Sequence, residues 1–261
     1  MATADPIDLE GIIKKWAEMM FNFSKSKEQS RIPKDALEYT INWKRVHFVH
    51  DDPEYLDREK PPKPTTKVLF RTFFTNQTTE DQEYSFRTSR ATSSTCDVIM
   101  EQCYTVGYEM NLSLKTPGEV FEANAGFRRE LSLTNASTQS IQKSLTWEVD
   151  SQIKVPSGIR TTAELVVSED QFSGGFKMTS KISGKVLVTV TNRNDNNSLV
   201  KILEGNIVEI IRGMKDSEKG LKLFKLADNV ATFVSRGRCT FRYAIEQHIK
   251  LHQHDANDEE Q

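Results

Sequence analysis

The chain opens with a helical rhythm. Leu9, Ile12, Ile13, Trp16, Met20 and Phe23 recur at helical spacing, and Asp8 stands where an N-cap belongs. This predicts an amphipathic helix that docks its apolar stripe on the rest of the fold. Asp5, Asp8, Glu10 and Glu18 make its polar side a poor match for anionic lipid. Pro33 and Pro53 break the next segment. Trp43, Val46, Phe48 and Val49 predict one short packed strand there, and Pro61-Pro62-Lys63-Pro64 reads as a stiff boundary.

From Thr65 to Thr191 helical periodicity is replaced by alternation in a Ser/Thr-rich background. Val68, Phe70, Thr72 and Phe74 point one way, and Lys67, Leu69, Arg71 and Phe73 the other. Tyr84, Phe86 and Thr88 resume the pattern after a turn near Glu80-Asp81. No helix-length segment intervenes, so the strands are antiparallel and the fold is mainly β with a few helices. Residues 192–206 form a polar turn region. The apolar runs Ile207–Ile211 and Leu221–Leu226 follow, and a final strand is expected from Cys239 to Leu251. The division expected is an N-terminal helix and cap (1–64), a long-stranded module (65–191), C-terminal strands packing with the N-terminal region (192–251) and a frayed acidic tail (252–261).

The clearest alternation lies in residues 104–138. Tyr104, Val106, Tyr108, Met110, Leu112 and Leu114 alternate with polar positions that include Glu109, Asn111, Ser113 and Lys115. A turn is expected at Thr116, Pro117, Gly118 and Glu119. On the return, Phe121, Ala123, Ala125, Phe127, Leu131 and Leu133 alternate with Glu122, Asn124, Arg128 and Glu130, and Arg129 interrupts the apolar face. Each arm has about the ~9–11 residues of a transmembrane β-strand, with one face for lipid and one for a wet lumen. A lone hairpin cannot span a bilayer, because its edges would stay unpaired in hydrocarbon; insertion therefore requires several copies closed into a barrel. An amphipathic hairpin lying on a β-sandwich core gives the same alternation.

Composition narrows the classes. The hydrophobic content is 37% and the mean hydropathy −0.55, and no run reaches the ~18 apolar residues of a spanning helix. A net charge of −2 argues against a nucleic-acid binder. Cys96, Cys103 and Cys239 lack metal-site spacing; they read as free thiols, with a Cys96–Cys103 pair as the alternative in an oxidising compartment. His47 and His50 beside Asp51 and Asp52, and His248, His252 and His254, read as solvated rather than metal-binding. Gly-x-Ser-x-Gly, phosphate-loop and His-Glu-x-x-His motifs are missing, so no enzyme, metal or cofactor is expected. The N-terminus shows no basic and apolar leader pattern, which predicts a chain without a signal peptide, cytoplasmic or released by a non-classical route. The glycosylation triplets at Asn76, Asn111, Asn135 and Asn196 are then incidental.

Four stretches resemble the epsilon-toxin/mosquitocidal-toxin branch of the aerolysin-like pore-forming proteins. They are Phe73-Phe74-Thr75-Asn76-Gln77-Thr78-Thr79 leading into Thr92-Ser93-Ser94-Thr95, Tyr104-Thr105-Val106-Gly107, Leu145 through Pro156, and the strands Thr161–Val167 and Phe176–Val190 around Ile182-Ser183-Gly184. The absent leader aligns the chain with leaderless, animal-type members. The resemblance implies an elongated β protomer, monomeric or dimeric in solution, that assembles as a homo-oligomeric ring on membrane lipid. A glycan or protein receptor is open. It also implies activation by loss of a terminal segment, with the tail after His252 and the N-terminal helix as candidates. The alternative is a non-lytic binding or scaffold protein on the same fold.

Overall fold

The alternation that starts at Thr65 folds as one long antiparallel sheet. The computed structural model describes residues 5–59, 64–107, 110, 112–134 and 137–256. Its elements in chain order are β1 (Ile7–Asp8), α1 (Leu9–Ser24), β2 (Leu37–Asn42), β3 (Val46–His50), β4 (Glu54–Glu59), β5 (Thr65–Thr75), β6 (Gln82–Gln102) and β7 (Tyr104–Thr105). Then come β8 (Leu112–Lys115), α2 (Gly118–Glu122), β9 (Glu130–Leu133), β10 (Thr138–Val155), β11 (Ile159–Asn192), β12 (Ser198–Asn206), α3 (Ile207–Met214), β13 (Lys225–Leu226) and β14 (Ala231–Asp255). The mainly β class expected from the alternation is the class found.

β11 is the spine. Its 34 residues would reach roughly 110 Å if straight. One edge pairs with β14 over Ile159–Ile182, and the other pairs in turn with β5, β4 and β3. Towards Asn192 the neighbours change to β12 and β2. β14 carries β6, and β6 carries β10. Register shifts at Leu165/Val166, Ser168/Glu169, Ser173/Gly175 and Val190/Thr191 bend and twist this strand. At Gly184 the backbone takes φ +102°, and a Cβ would stand 2.1 Å from the Arg45 carbonyl oxygen, so only glycine fits.

One bulge alters the expected alternation. Phe70 pairs with Leu165 but Val68 with Val166, so Leu69 is the extra residue. Leu69 therefore packs with Phe70 and Phe74 near Phe86, while Val68 is turned outward. Residues 37–59, where one strand was expected, form three, because the free edge of β11 offers each a partner. Lys60 to Lys63, within the expected Pro-rich boundary, lie outside the described residues.

α1 forms as the pattern predicts. The Gly11 N–H donates to Asp8 Oδ1 at 3.0 Å. Leu9, Ile13, Ala17 and Phe21 bury against Val186, Val188 and Val190 of β11 and against α3. Met20 and Phe23, counted in the same stripe, are instead exposed, because burial of the stripe stops at Phe21. The run Ile207–Ile211 is not a strand. Asn206 caps it through its side chain, which accepts from the Val208 N–H at 2.9 Å, and Ile207, Val208, Ile210, Ile211 and Met214 bury one helical face. A short apolar run has no period that separates strand from helix, and here the cap and the neighbours decide.

β14 begins at Ala231 and continues to Asp255, past the expected end at Leu251. Its last residues pair with Ile159–Thr162, so His252–Asp255, expected to fray, is sheet. The three cysteines are free and buried. Cys96 lies within extended β6 and Cys103 just beyond its end, roughly 23 Å further along the chain at strand spacing, so they cannot pair.

Asn76 pins the far end of the sheet. It is fully buried. Its amide donates to the carbonyls of Glu80 (2.8 Å) and Val155 (3.0 Å), and its Oδ1 accepts from the Thr78 N–H (2.9 Å) and hydroxyl (2.7 Å). A glycan at this triplet has no room; Asn111 and Asn135 lie outside the described residues, and Asn196 is exposed. Replacing Asn76 with Ala removes the side-chain donor to the Val155 carbonyl and leaves the Glu80 carbonyl with the Thr78 hydroxyl. It should cost about 1–3 kcal/mol, read as a lower urea midpoint at an unchanged slope.

Candidate functional site

The segment singled out by its alternation folds back on the sheet as a short hairpin. β8 and β9 pair antiparallel, Leu112 opposite Leu133 and Lys115 opposite Glu130. The Thr116 N–H donates to the Arg129 carbonyl at 2.9 Å, and its hydroxyl to the Arg128 carbonyl at 2.5 Å. The arms are four residues each, shorter than the alternation predicted. The outgoing arm is broken at Gly107, which takes φ +71°. The return arm is broken by the single helical turn α2 and by left-handed Asn124 (φ 51°) and Gly126 (φ 78°). The tip expected at Thr116–Glu119 thus spreads into a cap over residues 116–129, with Pro117 at the N-cap of α2. Tyr104 anchors the root of the hairpin: β7 pairs with β1, and its ring stacks on Phe48 and meets Phe233 edge-on.

The hairpin is sorted by face. Met110, Leu112, Leu114, Val120, Ala125, Phe127, Leu131 and Leu133 are buried on a floor of Val98, Met100, Phe172, Phe176, Phe241 and the three cysteines. Ser113, Glu122, Asn124, Arg128 and Glu130 face water. Phe127 meets Phe241 edge-on at 5.3 Å. Val106, Ala123 and Lys115 are half-buried, and Phe121 is exposed with the Arg129 guanidinium over its ring. Tyr108, Glu109 and Asn111 lie outside the described residues. At the root, a cavity of about 290 Å³ is lined by Trp43, Phe48, His50, Tyr104, Val106 and Leu112.

β4 and the loop before it hold the hairpin's outer end. The Tyr55 hydroxyl donates to the Lys115 carbonyl. The Lys115 ammonium meets Asp52 at 2.6 Å, and Arg58 meets Glu119 at 2.6 Å. The Tyr55 ring packs edge-on against Phe172 at 5.5 Å, and burial raises its phenol pKa. Exposed ion pairs contribute about 0–1 kcal/mol each, whereas a fully buried large apolar side chain contributes about 1.5–3 kcal/mol. The apolar face therefore holds the hairpin down, and the polar contacts fix where its tip lies.

The thiols report on this packing. Burial pushes Cys239 up to about 12 and Cys103 up to about 11, and raises Cys96 as well. Near neutral pH they are protonated, and thiols are poor nucleophiles.

Residues 13–261 match the family model described as Clostridium epsilon toxin ETX/Bacillus mosquitocidal toxin MTX2. The chain belongs to this family. It is the branch of aerolysin-like proteins that the sequence motifs resemble. No curated protein sequence matches the chain. Among solved structures, a non-toxic crystal protein from Bacillus thuringiensis is 17% identical, with a TM-score of 0.56, and the match covers 96% of this chain and 98% of that one. A chain of the Cry23Aa1 and Cry37Aa1 binary protein complex is 12% identical, with a TM-score of 0.57, covering 97% and 91%. At these identities the likeness is one of fold.

For a member of the epsilon-toxin/mosquitocidal-toxin family, the residues that sequence reasoning missed are those holding the hairpin in place. Val120 was hidden because it faces inward only as part of α2. Tyr55, Asp52 and Arg58 carry no local signal, since their partners lie about sixty residues away. The native thiols should resist a disulfide reagent at pH 8, and Leu114→Ala, which loosens the hairpin by about 3 kcal/mol, should speed labelling of Cys96 and Cys239. Mass spectrometry of labelled peptides reads this directly.

Proposed function

We infer that this protein forms membrane pores by lifting the 104–138 hairpin off its sheet and inserting it into a β-barrel shared with other copies. The observation that carries this is a hairpin with one dry face and one wet face, its dry face packed on its own sheet and its tip held by a few polar contacts. Lipid can replace the sheet as cover for that face, and a water-filled lumen can replace solvent for the other. To cross a bilayer, the arms must re-extend from four residues to ~9–11. That requires α2 to unwind and Gly107, Asn124 and Gly126 to leave the left-handed region, which for Asn124 relieves about 1–2 kcal/mol. Unpaired edges force ring closure, so assembly and insertion are coupled. Membership of a toxin family and the mainly β fold support the reading. Lipid, with or without a glycan or protein receptor, and further copies of the chain are the partners it requires.

A non-lytic binding role on the same fold is the second reading. The charges on the wet face and Arg129 at the cap favour it, and one structural neighbour is a crystal protein described as non-toxic.

Dye release from liposomes separates the two. Phe121 is exposed in solution, so Phe121→Asp should leave the unfolding midpoint unchanged yet reduce leakage several-fold, while Ser113→Asp on the wet face should leak like wild type. Equal leakage from the Phe121 variant would remove the hairpin from the mechanism. A short bismaleimide bridging Arg58→Cys and Glu119→Cys should block leakage and leave membrane binding intact; undiminished leakage from the bridged protein would show that the hairpin stays in place.

A further inference from the structure

The end of the molecule opposite the Asn76 pin carries an apolar knob. In the last turns of α1, Met19, Met20 and Phe23 are 51%, 41% and 90% exposed. At 100° per residue, Met20 and Phe23 continue the stripe that Leu9, Ile12 and Ile13 bury, so the docking face of the helix runs on with nothing of the described chain covering it. Beside it runs β12, whose Lys201 ammonium meets Ser24 Oγ at 2.8 Å. Leu199 and Ile202 on this strand are also exposed. They pair with Thr191 and Thr189, so they face the other side of the sheet from Val188 and Val190, which α1 covers. Three of the twelve exposed large apolar side chains among the described residues, Met19, Met20 and Phe23, thus gather at the end of α1. Clustering of this kind marks an interaction surface, whereas scattered exposure does not.

Charge indicates the partner. Residues 19–34 hold Lys25, Lys27, Arg31 and Lys34 against one carboxylate, Glu28, in a chain whose net charge is −2. Of the acidic residues that argued against lipid contact, Asp5 and Asp8 precede α1, Glu10 is engaged by Lys14 at 2.7 Å, and Glu18 directly precedes Met19. An apolar tip rimmed by cations suits a bilayer interface: the apolar groups enter the acyl boundary and the long cationic side chains reach phosphate. A second copy docked across a two-fold axis would set these cations against their own counterparts.

We propose that Met19, Met20 and Phe23, with Lys25 and Lys27, form an attachment site for a phospholipid bilayer bearing anionic headgroups. It holds the soluble protein on the membrane before the hairpin moves. The role in attack rests on the pore-forming reading, but the binding does not. Sedimentation of the full chain with vesicles of phosphatidylcholine, alone or mixed with phosphatidylserine, tests it without reference to leakage. Wild type should favour the mixed vesicles. Phe23→Ser with Met19→Ser should weaken binding about tenfold or more at an unchanged unfolding midpoint. Lys25→Glu with Lys27→Glu should abolish the preference for phosphatidylserine. The assignment is overturned if the serine variant binds like wild type, if wild type binds neither vesicle, or if wild type is a dimer that Phe23→Ser dissociates. Binding without leakage would sink the pore and leave this site standing.

Discussion

Eight apolar side chains between Met110 and Leu133 must be kept from water, and in this fold they are covered by a floor built from strands far apart in sequence. Everything else about the candidate site follows from this. A surface that is apolar on one side only can be covered by any dry partner of matching width. The sheet is one such partner and the hydrocarbon of a bilayer is another. The interaction is strong because many apolar side chains share it. It is also non-directional, so it sets no geometric bar to exchanging one cover for the other.

The directional contacts lie around the edge of this surface. Tyr55 and Arg58 from β4 and Asp52 from the loop before it reach the tip, while Tyr104 is bolted into an aromatic cluster with Phe224 and Phe233. The hairpin is therefore fixed at its root by packing and at its tip by hydrogen bonds and charge. At the root, a cavity leaves part of the wall unfilled. Such an arrangement gives the tip the weaker surface contacts and the root the stronger buried ones. The spine makes this possible: β11 carries in succession the edge strands of the upper cap, the strand that clamps the tip and the strands of the Asn76 end.

Alternation placed the apolar residues of the hairpin on one face and the charged ones on the other, and that sorting survives in the fold because side chains on a strand alternate whatever lies beneath them. It misjudged the length of the arms. Gly107, Asn124 and Gly126 tolerate the left-handed conformations that break the strands, but tolerance is not a requirement, and the same residues are compatible with extension. Helix α1 was legible through its period and its Asp8 cap. Where its stripe ceased to be covered was not, because coverage is a property of the neighbours. Val68 and Leu69 exchanged roles for a related reason: a bulge belongs to the pairing of two strands and leaves no mark on either alone.

Taken alone, the amino-acid sequence determined the mainly β class, the N-terminal helix, the amphipathic character of residues 104–138 and the likeness to the toxin family, because each is written in local period or in short motifs. The tertiary structure alone decided that Ile207–Met214 is a helix, that β14 runs on to Asp255, that the arms of the hairpin are short, and that Tyr55 and Arg58 reach its tip. These depend on contacts between residues distant along the chain, and such contacts exist only once the strands have found their partners.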